Sequence, residues 1–237
     1  MRVGWLGLGA MGAPMAGCVA RAGHAVVAYD VAPGRVAALA ADGVGEADSS
    51  TGAVRDAEVV AVMVATPDQV GQVLFGPGGA AGALAAGAVV MIMATVGPEV
   101  VAEVAARLGR TGAGRTGAGR TGAGHAGVAV VDAPVSGGVR RAADGDLLIM
   151  VSGADDAVGR ARPVLDALAR SAPVVGSAPG DGQRMKLVNQ LLCGFTSRPR
   201  PRRSRSRSRS AWTRGSAGGC CATAPPRRSC SRTGAPG

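Results

Sequence analysis

Aromatic side chains are scarce: two Trp, two Phe and one Tyr in 237 residues. A core without them is made of Ala, Val, Leu and Met, which suits closely packed layers of helix on sheet better than an aromatic-rich sandwich. Cysteine offers no framework either. Cys18, Cys193, Cys220, Cys221 and Cys230 are odd in number and lack metal-ligand spacing, so no disulfide scaffold is expected and a reducing, cytoplasmic setting is. Histidine occurs only as His24 and His125, far apart and in turn-like settings, so neither a metal centre nor a His-based acid/base pair is expected. A membrane-spanning run is missing as well. Residues 3–20 carry no charge, but five Gly and Pro14 interrupt them, and each is costly inside a helix; no membrane segment or export signal is expected. Lysine occurs once, at position 186.

Acid is absent from the end of the chain. Up to Cys193 there are 15 basic and 16 acidic residues; from Gly194 onward 11 Arg face no acid, which accounts for the net +10. The charge therefore describes a tail, not the body, and nucleic acid is expected as a partner only through that tail.

What is present is an alternation of apolar strands and helical patterns. Arg2 to Leu6 reads as a buried strand, 11–21 as a helix opened by glycines and Ala25 to Tyr29 as a second strand, a β-α-β unit of about thirty residues. Strand patterns continue at 59–64, 88–93, 128–131 and 147–151, with helical patterns at 98–108 and 155–169. This predicts an α/β fold, a doubly wound, mostly parallel Rossmann sheet with helices on both faces over 1–180. A tandem Arg-Thr-Gly-Ala-Gly repeat fills 110–124; its glycine content predicts a surface loop.

Gly7-Leu8-Gly9-Ala10-Met11-Gly12 is a G-x-G-x-x-G placed between the first strand and the first helix, the context in which this pattern binds a dinucleotide. Gly7 permits the tight turn, Gly9 lets backbone approach a pyrophosphate and Gly12 lets the helix pack on the strand. Asp30 ends the second strand, where a carboxylate accepts from the adenosine ribose and repels a 2′-phosphate. NAD is the expected cofactor, with NADP disfavoured.

The opening run from Gly7 to Ala16 resembles the cofactor signature of the β-hydroxyacid dehydrogenases. Three further matches follow in the family's order, so the resemblance covers roughly residues 1–195. Asp132-Ala133-Pro134-Val135-Ser136-Gly137-Gly138 resembles the family's substrate loop, which implies that Ser136, Gly137 and Gly138 hold the substrate carboxylate. Thr95 resembles the threonine that approaches the nicotinamide ribose. The segment from Gly180 to Gln190 resembles the one that carries the catalytic lysine, which implies Lys186 as general acid/base and Asn189 and Gln190 as substrate amides. The residues agree with this reading. On a helix from about Gln183, Asn189 lies at i+3 and Gln190 at i+4 from Lys186, so one amine and two amides converge. A lysine whose charged form is disfavoured by burial serves as a base near neutral pH. Many relatives carry Asn-Asn where this chain has Asn189-Gln190. The run from Lys186 to Leu192 leans toward the threonate-type members.

The family continues into an all-α domain that closes the site and dimerises, with 181–195 as the start of the interdomain helix. Here 196–237 turns instead into Arg/Ser/Pro/Gly-rich text without apolar periodicity, expected to be disordered and to leave the dimerisation domain absent. Two readings stand. Alternating Arg and Ser at 203–210 is the composition of segments that neutralise nucleic-acid phosphates, which makes the chain a nucleotide-binding regulator with a basic tail. Alternatively the reading frame has shifted: GC-rich codons for Phe195 onward, read one base back, encode His-Ile-Ala-Ala-Ala-Ala-Glu-Ala-Leu-Ala-Leu-Ala-Leu-Ala-Gln-Arg-Leu-Asp, a strong helix former. The second reading implies an oxidoreductase for a small hydroxy carboxylate with its site incomplete, NAD binding at best weak and turnover little or none.

Overall fold

The computed structural model describes residues 1–113 and 127–196. Most of the glycine repeat, His125 and the Arg-rich tail lie outside the described residues.

Strand β1 (Arg2–Leu6) pairs in parallel with β2 (Ala25–Tyr29) on one side and β4 (Val59–Val62) on the other. With β3 (Gly45–Glu46), β5 (Val89–Ile92) and β6 (Ala129–Asp132) the parallel order is β3-β2-β1-β4-β5-β6. Val59 to Val62 and Val89 to Ile92 are buried throughout, as strands covered on both faces must be, and this is why they read as unbroken apolar runs. Alternate residues serve opposite layers. Val59 and Ala61 pack with α1 (Gly12–Arg21) and α6 (Asp155–Leu168), while Val60 and Val62 pack with α2 (Ser50–Val54), α3 (Pro67–Phe75) and α4 (Pro98–Ala113). The fold is the doubly wound α/β sheet expected. Its strand order reverses between β1 and β4, and the crevice outside their carboxyl ends is where such sheets bind ligands.

Beyond β6 the chain departs from the simple alternation. Residues 147–151, which read as one strand, form two: β8 (Leu147–Ile149), antiparallel to β7 (Val135–Ser136), and β9 (Val151–Ser152), antiparallel to β6. The register is continuous, with Asp132 opposite Ser152, Val135 opposite Ile149 and Ser136 opposite Leu148. The break falls where Pro134 faces Met150. Met150 N–H donates to Pro134 O at 3.1 Å, but proline has no N–H to return the bond, so the ladder divides into two sheets there. Strand β10 (Ala169–Ser171) completes the small sheet with β8, and β11 (Val174–Gly176) extends the large one beside β9. Helix α5 (Gly138–Ala143) follows β7, and α7 (Asp181–Thr196) follows β11. Helix α4 is longer than the predicted 98–108. Val101, Val104 and Leu108 are buried at helical spacing, and the backbone stays helical into the first repeat unit.

Candidate functional site

The glycine loop and the acid at the end of β2 form one hydrogen-bonded unit. Gly7 N–H donates to Tyr29 O at 3.0 Å, and Leu8 N–H donates to Asp30 Oδ2 at 2.6 Å. Asp30 Oδ1 accepts from Ala32 N–H at 2.8 Å, and the half-exposed Arg35 guanidinium lies 3.3 Å from the carboxylate, whose side chain is only 5% exposed. Beneath the loop the fully buried Trp5 donates its indole N–H to Gly7 O at 3.1 Å, a support the sequence did not announce.

Each glycine of the motif does a separate job. Gly7 has φ +98°, a backbone conformation that side chains disfavour, and a Cβ on Gly12 would collide with Gly7 O. A Cβ on Gly9 would meet no heavy atom within 4 Å. That open side, next to the Ala10 and Met11 N–H groups, for which no protein acceptor is found among the described residues, fits the pyrophosphate of a dinucleotide. Across the crevice Thr66 caps α3, its hydroxyl accepting from Gln69 N–H at 3.2 Å while Gln69 Oε1 accepts from Ala65 N–H at 2.8 Å.

The substrate-loop candidates meet the lysine helix directly. Ser136 Oγ donates to Asn189 Oδ1 at 3.1 Å, which fastens β7 to α7 one turn beyond Lys186. Gly137 and Gly138 are exposed with φ +143° and +79°, so both need glycine, and a Cβ at Gly138 would enter open space. Lys186 is 8% exposed, and burial pushes its amine below the ordinary lysine value while Cys193 works against that shift. Gln190 is exposed on α7, and Thr95 is exposed on the 94–97 loop after β5. Of the two amides, Asn189 is the one bonded to Ser136.

Between these groups lies a buried polar cluster that sequence reasoning did not single out. Gln183 is fully buried. Its Oε1 accepts from Val96 N–H at 2.9 Å and Gly97 N–H at 3.1 Å, and its Nε2 donates to Ala94 O at 3.0 Å and Asp132 Oδ1 at 2.7 Å. Asp132, at the end of β6 and also fully buried, accepts at Oδ2 from Gly180 N–H at 3.2 Å and Gln183 N–H at 2.9 Å. Ser152 Oγ accepts from Gly182 N–H at 2.9 Å and lies 3.5 Å from the same carboxylate oxygen. Burial raises the Asp132 carboxyl above the usual carboxylate value, with the bonds from Gln183, Gly180 and Ser152 pulling the other way. Both residues stand in motifs quoted above. The available signal was a carboxylate at the end of the otherwise apolar β6; Gln183 stands among polar residues at the start of α7, where nothing marks it.

Among the described residues no group of His, Cys, Asp and Glu is placed to hold a metal ion, and no helix is long and apolar enough to cross a membrane.

Comparison with known proteins gives this geometry its context. Residues 2–176 match the NAD binding domain of 6-phosphogluconate dehydrogenase. An L-threonate dehydrogenase of Escherichia coli is 36% identical over 193 residues, covering 81% of this chain and 59% of the relative. A 3-hydroxyisobutyrate dehydrogenase of Pseudomonas aeruginosa is 35% identical over 196 residues, again 81% of this chain and 59% of the relative. Among solved structures, a 3-hydroxyisobutyrate dehydrogenase from Salmonella typhimurium superposes with a TM-score of 0.71 at 34% identity, covering 83% of this chain and 63% of that one. The chain thus spans about three fifths of the length of the relatives it matches. With a glycine loop clamped by an acid, a buried lysine beside a Ser-Gly-Gly loop, and these likenesses over four fifths of its residues, the chain belongs to the β-hydroxyacid dehydrogenase family.

Proposed function

We propose that this chain supplies the cofactor-binding half of a dehydrogenase for a small hydroxy carboxylate. The observation that carries the reading is the hydrogen bond from Ser136 to Asn189, which puts the substrate loop against the helix that buries Lys186. NAD, when bound, accepts the hydride. Gly7, Leu8, Gly9, Ala10, Met11 and Gly12 wrap its pyrophosphate, Asp30 accepts from its adenosine ribose, and Thr95 faces its nicotinamide ribose. Asp30 disfavours the extra phosphate of NADP. Ser136 with the N–H groups of Gly137 and Gly138 binds the substrate carboxylate, and Asn189 and Gln190 orient its remaining oxygens. Lys186 Nζ removes the hydroxyl proton during oxidation and returns a proton to the carbonyl oxygen during reduction. Its lowered proton affinity supports the role, because a neutral amine is then present at lower pH than for an exposed lysine. A cytoplasmic setting suits this chemistry and the thiols of Cys18 and Cys193.

The test is a fluorescence titration of the folded chain with NADH, followed by turnover of L-threonate and of 3-hydroxyisobutyrate. A saturable NADH signal is expected, with turnover far below the usual enzyme range of about 1–10³ s⁻¹. A cooperatively melting protein that gives no saturable signal would sink the reading.

A further inference from the structure

The side chain of Gln183 reaches across to the loop that carries Thr95 and brackets it. Its oxygen holds the N–H groups of Val96 and Gly97, just after Thr95, and its amide holds the carbonyl of Ala94, just before it. The remaining amide hydrogen goes to Asp132, so two donors and two acceptor sites are all used. Asp132 in turn receives the backbone N–H groups of Gly180 and Gln183, and Ser152 receives that of Gly182. These three N–H groups belong to the first turn of α7 and the residue before it, where a helix leaves donors without internal partners. Lys186 follows Gln183 by one helical turn.

We propose that Gln183 and Asp132 are positioning residues, which hold the Thr95 loop and the first turn of the Lys186 helix in one register. The proposal rests on the reading of Lys186 and Thr95 given above. Neither residue touches the reacting atoms. Gln183 reaches the loop from the same helix as the lysine, so the spacing between the nicotinamide end of the site and the acid/base group is set by one buried side chain. No water-exposed bond intervenes, because Gln183 and Asp132 are both fully buried. A buried amide with every partner in place has one arrangement, whereas an apolar replacement leaves three backbone groups of the loop unpaired and free to seek other partners.

The full chain allows this to be tested without turnover. Lys186 is the only lysine, so protein labelled with ε-¹³C-lysine gives one resonance whose pH titration reports that amine alone. NADH and ADP share the adenosine and pyrophosphate, and ADP lacks the nicotinamide and its ribose, so the ratio of their affinities reports the nicotinamide end alone. In Gln183→Met, ADP affinity is expected to stay within about twofold while NADH affinity falls about tenfold or more, the order expected from misplacing a site by a fraction of an ångström. The Lys186 resonance is expected to titrate closer to an ordinary lysine. Equal loss of both ligands, or no loss of either, with the lysine midpoint unchanged, would overturn the proposal. So would a parent chain that binds NADH no better than ADP. If Gln183→Met does not melt cooperatively, Gln183→Glu, which keeps the acceptor for Val96 and Gly97 but sets a second carboxyl against Asp132 in place of the amide, decides on the ratio of ligand affinities. Failure of the parent chain to bind either ligand would count against the dinucleotide site itself, not only against this coupling.

Discussion

Lys186 carries opposite demands of chemistry and stability. A lysine with lowered proton affinity in the fold contributes stability above its unfolded value near 10.5, and that contribution is lost as pH falls through the folded value. At pH 7, below the unfolded value, the buried amine is thus a burden on the fold. Lys186→Met is expected to melt higher than the parent at pH 7, with the gap closing as pH approaches 10.5, and to lose about 10²–10⁴-fold of whatever turnover the parent shows. Equal melting curves across that range would show that the amine is not held out of water. The Asp30–Arg35 pair gives a second residue-scale test. Asp30 spends its charge on Leu8 N–H, Ala32 N–H and the Arg35 guanidinium, and Arg35 is half exposed beside it. Asp30→Asn removes the charge that repels a 2′-phosphate and frees Arg35 to meet one. The NADPH-to-NADH affinity ratio is expected to rise about tenfold or more, the size of one charge-assisted hydrogen bond, and Arg35→Ala in the same background is expected to cancel the gain.

At the scale of elements, α1 rests on β1 through glycine. Gly12→Ala drives a methyl into Gly7 O, and backbone cannot give way as a side chain can, so a loss of roughly 1–3 kcal/mol is expected by denaturant melt, with NADH binding lost alongside. Gly9→Val separates the two effects. Its side chain enters space that no protein atom fills, so the melt is expected to hold while NADH affinity falls about tenfold or more. A Gly9→Val variant that binds NADH normally would show that the pyrophosphate does not lie there. Helix α7 shows what its own sequence leaves open. Met185, Leu187, Val188, Leu191 and Leu192 are 43–62% exposed, yet Gln183 and Lys186 on the same helix are buried. Apolar spacing alone would have turned the leucines inward. Buried partners for the glutamine, supplied by the 94–97 loop and β6, together with Ser152 of β9 for the Gly182 N–H, turned the helix the other way.

For the whole molecule, the decisive experiment concerns the chain after Phe195. Insertion of one base within codon 195, which moves the downstream reading back by one base, is expected to replace the Arg/Ser text with a helix-forming segment. Turnover of a small hydroxy acid should then rise at least about a hundredfold. No gain in turnover, together with salt-dependent retention of the unaltered protein on DNA, would favour a genuine basic tail. The α/β class, the first β-α-β unit and the glycine loop with Asp30 were legible in the amino acids because they rest on local rules: apolar runs for strands buried on both faces, glycine where a side chain would collide, an acid at a strand end. The split of 147–151 depended on Pro134, fifteen residues upstream of the middle of that run, and nothing local to 147–151 marks it. The same holds for the cluster of Asp132, Ser152 and Gln183, whose members are 20 to 51 residues apart and whose partners exist only once β5, β6, β9 and α7 have come together. Periodicity and propensity act within a turn or a strand, so they determined which segments form. Which buried polar group meets which depends on long-range pairing, and there only the tertiary structure decided.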